Sequence, residues 1–174
     1  MRNTAITTLG LALALVMAAG TLPAHGNKAA SGTAFEAVLE PYEAIHAALA
    51  ADSLDGVAAN AKKIAATVRE VSGTFDARRA GVSAEKASQC QALLPKVRAA
   101  AEKLATAGNL EEAREAFGEL SRPMVQWREM ATGDHKPNVV FCPMAKKPWL
   151  QESDEVANPY FGSKMLKCGN IVSS

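Results

Sequence analysis

The amino-acid sequence predicts an all-α fold, an up-down-up-down four-helix bundle that carries an ordered, mostly irregular C-terminal loop segment packed on it. Three observations support this prediction. Between residues 33 and 132 the chain is rich in Ala, Leu, Glu, Lys and Arg, which are strong helix formers, and sparse in β-branched residues. Apolar residues recur there at spacings of three and four, the period of one helix face. Short connections between successive segments favour antiparallel neighbours.

Four helical segments are separated by glycines and capping residues. They run over residues 34–51, 54–75 and 84–107, and the fourth begins at Glu111. Side chains with an oxygen that accepts from a helix N-terminal N–H precede three of them. These predicted caps are Asp52 with Ser53, then Ser83, then Asn109.

The first 26 residues have the layout of a secretory signal peptide. Arg2 is followed by an apolar stretch over residues 9–19, and small residues at Ala24 and Gly26 indicate cleavage near Gly26. The apolar stretch is shorter than the roughly 20 residues that span a bilayer. We therefore expect a protein exported to the periplasm, without stable membrane insertion.

The mature chain is expected to form one domain. Residues 27–132 would form the helical bundle, and residues 133–174 the C-terminal segment with its Cys and Met residues. With 19 basic and 18 acidic residues, the full chain has no charge excess that would bind a phosphate backbone, so nucleic acid is not an expected partner. The sequence has neither a nucleophile-elbow motif nor a glycine-rich phosphate loop, and we expect no enzymatic activity.

The character of the sequence changes after Gly133. Four prolines punctuate the remaining residues, where 139–141 predict one short strand and 163–167 a helical turn. The aromatic content predicts an ordered segment, because disordered chains lack such residues. An ordered loop of this length inside a compact domain is usually functional.

Two pairs of sulfur-containing residues lie in this segment. Cys142 and Met144 form a Cys-x-Met motif, and Met165 and Cys168 form a Met-x-x-Cys motif. Thiolate and thioether ligands select copper(I) and similar soft ions. If the segment folds back on itself, all four sulfurs face one point and form a copper(I) site, with silver(I) as a mimic. Two further side chains are weaker candidate ligands for this site, namely His135 and Met124.

The same residues admit other interpretations. Cys142 and Cys168 can form a disulfide that closes a loop of about 27 residues and adds roughly 3 kcal/mol to stability. Methionines commonly fill gaps in apolar cores. Both states can also coexist, with the reduced dithiol binding copper and the disulfide as the resting form. The third cysteine, Cys90, lies in a helical segment and is expected to be buried and structural.

Several stretches of the sequence resemble an exported bacterial family that is described as a domain of unknown function. This family occurs alone and also fused to membrane-fusion subunits of heavy-metal efflux pumps of the resistance-nodulation-division type. The resemblance covers most of the mature chain, and its most specific part is C-terminal. The stretches that carry it are YEAIHAALAAD at 42–52, REAFGELS at 114–121, VFCPMA at 140–145, WLQ at 149–151, NPYFG at 158–162 and MLKCG at 165–169.

The resemblance implies a helical domain that takes part in copper or silver handling in the cell envelope. The implied partners are the membrane-fusion subunit of a heavy-metal efflux pump or another copper chaperone. The first alternative is an interaction module without metal, which docks on an efflux or envelope complex and in which the disulfide between Cys142 and Cys168 is purely structural. A third, weaker hypothesis is a thiol redox or stress-sensing protein.

Overall fold

The computed structural model describes residues 32–174, so the expected signal peptide lies outside the described residues. Four long helices and one short helix form the first part of the chain. They are α1 (Ala34–Ala50), α2 (Val57–Gly73), α3 (Ala77–Ala80), α4 (Ala87–Leu104) and α5 (Leu110–Met130). Short 3-10 turns cover Ala84–Lys86 and Gly162–Lys164. The four predicted helical segments are confirmed, with ends that differ by a few residues.

Each long helix packs mainly on the next one in the chain. The first and last helices also meet, through aromatic side chains that close the bundle. The ring centroids of Tyr42 and Phe117 lie 5.0 Å apart, and those of Phe35 and Trp127 lie 5.6 Å apart. All four side chains are buried, and burial of aromatic rings contributes strongly to the stability of a core.

The prediction of an all-α fold is wrong, because the C-terminal segment forms a three-stranded antiparallel sheet. Its strands are β1 (Asn138–Cys142), β2 (Lys147–Gln151) and β3 (Asn170–Ser173), in the order β2-β1-β3. The single predicted strand lies within β1, whereas β2 and β3 were expected to be irregular. Backbone groups that a loop would leave to water are paired here across the sheet, which allows the segment to pack closely on the helices.

The sheet and the helices share one hydrophobic core. Val139, Val140, Trp149 and Leu150 are buried in the same cluster as the helix side chains. Strand β2 packs against α5. Side chains of the segment at 133–174 therefore pack into the same hydrophobic core as those of the helices.

The caps are confirmed in part. Asn109 accepts a hydrogen bond from the N–H of Glu112 and caps α5 as expected. Asp52 and Ser53 do not cap α2, whose N-cap is Gly56 with a φ of 74°. Ser83 precedes the first 3-10 turn but makes no side-chain cap. Within residues 32–174, no helix combines the length and the apolar character needed to cross a membrane.

Candidate functional site

The first cysteine of the site ends a strand and begins a tight hairpin loop. Cys142 is the last residue of β1 and lies opposite Lys147, so residues 143–146 form the loop to β2. The N–H of Lys146 donates to the Cys142 carbonyl oxygen at 2.8 Å and closes this loop. The N–H of Ala145 points at Sγ of Cys142, at 3.3 Å. The hairpin therefore fixes the position of the first sulfur and surrounds it with backbone donors.

The second cysteine reaches the same place from the turn before β3. The N–H of Cys168 donates to the carbonyl oxygen of Met165 at 2.9 Å, which forms one tight turn. Sγ of Cys168 lies 3.6 Å from Sγ of Cys142, and both thiols are free. The predicted convergence of these two residues is thus present. The structure contains no disulfide between them, although their sulfurs are in contact.

The two thiols differ in how readily each loses its proton. Burial alone would raise the pKa of Cys142, but hydrogen bonds from the Ala145 N–H, the Asn158 side chain and Cys168 together lower it from the ordinary thiol value. The hydrogen bond that Cys168 donates to Cys142 raises the pKa of Cys168. A single ionisation of the pair therefore places the negative charge on the sulfur of Cys142, while Cys168 keeps its proton.

The two methionines of the motifs are exposed, unlike methionines that fill a core. Met144 lies in the hairpin loop with 64 % of its surface exposed, and Met165 is 37 % exposed. The backbone N–H of Met144 lies beside both thiols. Met144 thus lies two residues after Cys142 and Met165 three residues before Cys168, and neither thioether is packed in the core.

The two weaker candidate ligands are not brought to the sulfur pair in this way. His135 lies three residues before β1, at the end of the strand opposite to Cys142, and its Nε2 lies 2.6 Å from Oε2 of Glu152. Met124 is fully buried in the hydrophobic core. Cys90 is also fully buried, and burial raises the pKa of its thiol to about 11. Its burial agrees with the structural role expected for it.

Asn158 connects the parts of the site, and the sequence analysis included it only in the NPYFG motif, without a role in the site. Its side chain is completely buried, with Nδ2 donating to the carbonyl oxygen of Cys168 at 2.5 Å. Its Oδ1 accepts from the N–H groups of Tyr160 and Phe161. The available signal was the Asn-Pro dipeptide, which favours turn initiation. That signal predicts a turn but not the hydrogen bond to a cysteine ten residues later.

A metal site with three or more ligands at the sulfur pair would need donors besides His, Cys, Asp and Glu. Within residues 32–174, no three side chains drawn from His, Cys, Asp and Glu lie close enough together to hold a metal ion. The sulfur donors that meet here are the thiols of Cys142 and Cys168, and the thioethers of Met144 and Met165 belong to the same two sequence motifs.

The comparisons with known proteins identify the helical part of the chain. Residues 38–135 match the family described as "Protein of unknown function (DUF3347)". The match ends before β1, so the sulfur-containing hairpin lies outside it. No curated protein and no solved structure matches the chain. Because the matched range covers more than half of the 174 residues, the chain belongs to the DUF3347 family of proteins of unknown function.

Proposed function

We propose that this chain is a periplasmic protein that binds copper(I) or silver(I) and buffers the ion or delivers it in connection with heavy-metal efflux. The proposed ligands are Cys142, Met144, Met165 and Cys168. One observation above all supports the proposal: the two free thiols touch at 3.6 Å, and the methionine of each sulfur motif is exposed to solvent. Sulfur ligands of both kinds favour soft monovalent ions.

The separation of the two thiols suits shared coordination. Two sulfurs that each lie about 2.3 Å from one ion at the tetrahedral angle are about 3.8 Å apart. The Cys142 and Cys168 sulfurs are 3.6 Å apart. A soft ion would therefore enter between them with little change in backbone geometry.

The ionisation of the pair also suits a monovalent soft ion. The lowered pKa of Cys142 makes one thiolate ligand available at less alkaline pH than an ordinary cysteine would. The proton on Cys168 is displaced when the metal binds, so affinity rises with pH. Thioether ligands carry no proton, and Met144 and Met165 would complete the site without further dependence on pH.

Delivery to a partner requires that the ion can be approached from outside. Met144 lies in the hairpin loop with most of its surface exposed, so a partner's ligands could replace it first. The resemblance of the C-terminal motifs to proteins fused with efflux subunits suggests the membrane-fusion subunit of a heavy-metal efflux pump, or another copper chaperone, as the recipient.

Competition for copper(I) tests the proposal. The reduced protein, purified without oxygen, is titrated with copper(I) against a chromophoric copper(I) chelator. We expect one copper ion per chain, a loss of binding in C142S and a reduction of at least about tenfold in affinity when Met144 and Met165 are both changed to Leu, about 1.4 kcal/mol. Leu and Met are close in volume, so folding is retained.

Two matched variants show whether the effect is specific. Met124→Leu changes a methionine in the core, and Cys90→Ala removes the third thiol. Both are expected to bind copper(I) as the unaltered protein does. Copper binding that survives in C142S would overturn the proposal. A double Met→Leu variant with unchanged affinity would exclude the thioether ligands.

A further inference from the structure

The two thiols of the site differ sharply in their access to solvent. Cys142 is fully buried at the end of β1, beneath the hairpin loop. Cys168 is partly exposed in the turn that leads into β3. An external reagent therefore meets Cys168 first, while its neighbour is close enough to respond. In a pair of cysteines, such an arrangement separates an entry thiol from a second thiol that completes the reaction.

The contact between the sulfurs needs only a small closure to become a covalent bond. Their separation is 3.6 Å, whereas a disulfide bond measures about 2.05 Å. The side chain of Cys168 is only partly packed, so rotation about its side-chain bonds can provide this closure. The buried Cys142 is held by the hairpin and has less freedom to move.

We propose that Cys168 and Cys142 form a dithiol–disulfide couple that exchanges with low-molecular-weight disulfides, with Cys168 as the entry thiol and Cys142 as the resolving thiol. This activity goes beyond metal binding and does not require it. The substrate class is a small disulfide of the glutathione type, which is reduced as the protein is oxidised.

The exchange proceeds in two balanced steps. The Cys168 thiolate attacks one sulfur of the small disulfide, forming a mixed disulfide and releasing one small thiolate. The Cys142 thiolate then attacks Sγ of Cys168, forming the bond between the two cysteines and releasing the second small thiolate. The protein loses two electrons and the two thiol protons, and the small disulfide gains them as two thiols.

The hydrogen bonds around the cysteines support this division of roles. The N–H of Ala145 lies 3.3 Å from Sγ of Cys142, so the hairpin holds the resolving sulfur in place. Asn158 donates to the carbonyl oxygen of Cys168 and fixes the backbone of the entry residue, while the Cys168 side chain stays partly exposed. Cys90 is buried in α4 with its pKa raised to about 11, and it takes no part.

Mass spectrometry of the reduced, metal-free full chain with oxidised glutathione tests this proposal. We expect the unaltered protein and Cys90→Ala to lose two hydrogens per chain, and a digest to contain the peptide that joins Cys142 to Cys168. Cys142→Ala should instead accumulate one stable glutathione adduct at Cys168. Cys168→Ala should form its adduct at least about tenfold more slowly, since its remaining thiol of the pair is buried.

A second experiment identifies the entry thiol without any substitution. The unaltered protein is exposed briefly to less than one equivalent of oxidised glutathione, and its remaining free thiols are then alkylated. Cys168 should carry the first mixed disulfide. Stable glutathione adducts on the unaltered protein with no internal disulfide would overturn the proposal, as would equal adduct rates in the two alanine variants or first modification at Cys142. Because metal is absent throughout, the outcome is independent of the copper(I) titration.

Discussion

Gly169 lies so close to the indole of Trp149 that no side chain fits between them. A Cβ placed on Gly169 would be 2.6 Å from Cη2 of Trp149, and it would also crowd Val140 and Val156 at 3.1 and 3.2 Å. Trp149 is fully buried, so it cannot swing away into solvent. Because Gly169 has no side chain, the backbone just after Cys168 can lie directly against the sheet.

Replacing Gly169 with Ala should therefore destabilise the fold and displace Cys168. We expect the free energy of unfolding, measured by urea denaturation, to fall by about 1–3 kcal/mol, the usual cost of overpacking. Gly73→Ala is the control, because a Cβ at Gly73, the last residue of α2, meets no atom within 4 Å. Equal stability of the two variants would contradict the tight contact with Trp149.

The helices could be predicted because the signals that define them are local. Apolar spacing predicted a first helix over residues 34–51, and α1 covers Ala34–Ala50. The cap at Asn109 was also predictable, since its hydrogen bond reaches only to Glu112. A side-chain oxygen and an N–H three residues apart are enough to specify this cap.

The sheet was missed because its pairing is not local. Strand β2 contains Pro148, which argues against a strand unless the strand lies at a sheet edge. Here β2 is an edge strand, with Pro148 opposite Phe141. Strand β3 has four residues and pairs with β1 about thirty positions earlier. Nothing within such short segments reveals a partner at that distance.

The sequence indicated which sulfur ligands the candidate site contains, but not the hydrogen bonds that hold them in place. The sulfur motifs predicted a shared site on condition that the segment folds back on itself, and the sulfurs of Cys142 and Cys168 are in contact. Asn158, which bonds to the backbone of the Cys168 turn, was recognised only as part of a motif. Its role depends on tertiary structure, because its partner oxygen is ten residues away.

Asn158→Asp should raise the pKa of Cys142. The substitution keeps an oxygen for the N–H groups of Tyr160 and Phe161 but removes the amide donor that helps to lower this pKa, and it adds a negative charge nearby. We expect thiolate absorbance in the ultraviolet to appear at higher pH than in the unaltered protein. Cys90→Ala in both backgrounds restricts the signal to the pair.

Asn170→Ala serves as the matched control for this change, because Asn170 is an exposed residue of β3 close to the site. It should leave the titration of Cys142 where it is. An unchanged titration in Asn158→Asp would show that the backbone N–H groups and Cys168 stabilise the thiolate without Asn158.

The hydroxyl of Tyr42 joins α1, α5 and the edge of the sheet. It lies 2.6 Å from Oγ of Ser121 and accepts from the N–H of Leu150 at 3.2 Å. Tyr42→Phe leaves both of these buried groups without their partner, so the free energy of unfolding should fall by about 1–3 kcal/mol. Urea denaturation of the purified variant measures the loss.

A double-mutant cycle separates the contributions at Tyr42. If the hydroxyls of Tyr42 and Ser121 are coupled, Ser121→Ala should cost less in the Tyr42→Phe background than in the unaltered protein. Additive costs would mean that the two hydroxyls act independently despite their short separation.

The carboxylate of Asp52 should make the fold sensitive to acid. Hydrogen bonds from Ser163 and then Arg114 lower the pKa of Asp52 from 3.8 to about 2. Because the pKa is lower in the folded protein, the stabilisation is complete above the unfolded value and is lost as the pH falls from about 4 through about 2. The interaction links the end of α1 to α5 and to the turn at Ser163.

Asp52→Asn isolates this effect, because Asn tolerates the φ of 57° found at this position. We expect the variant to be less stable than the unaltered protein at pH 7 and to show a shallower loss of stability between pH 4 and pH 2, measured by thermal denaturation at each pH. Asp55→Asn, at an exposed position nearby, should follow the unaltered protein. Parallel pH profiles for Asp52→Asn and the unaltered protein would refute the assignment, because the acid-sensitive group would then lie elsewhere.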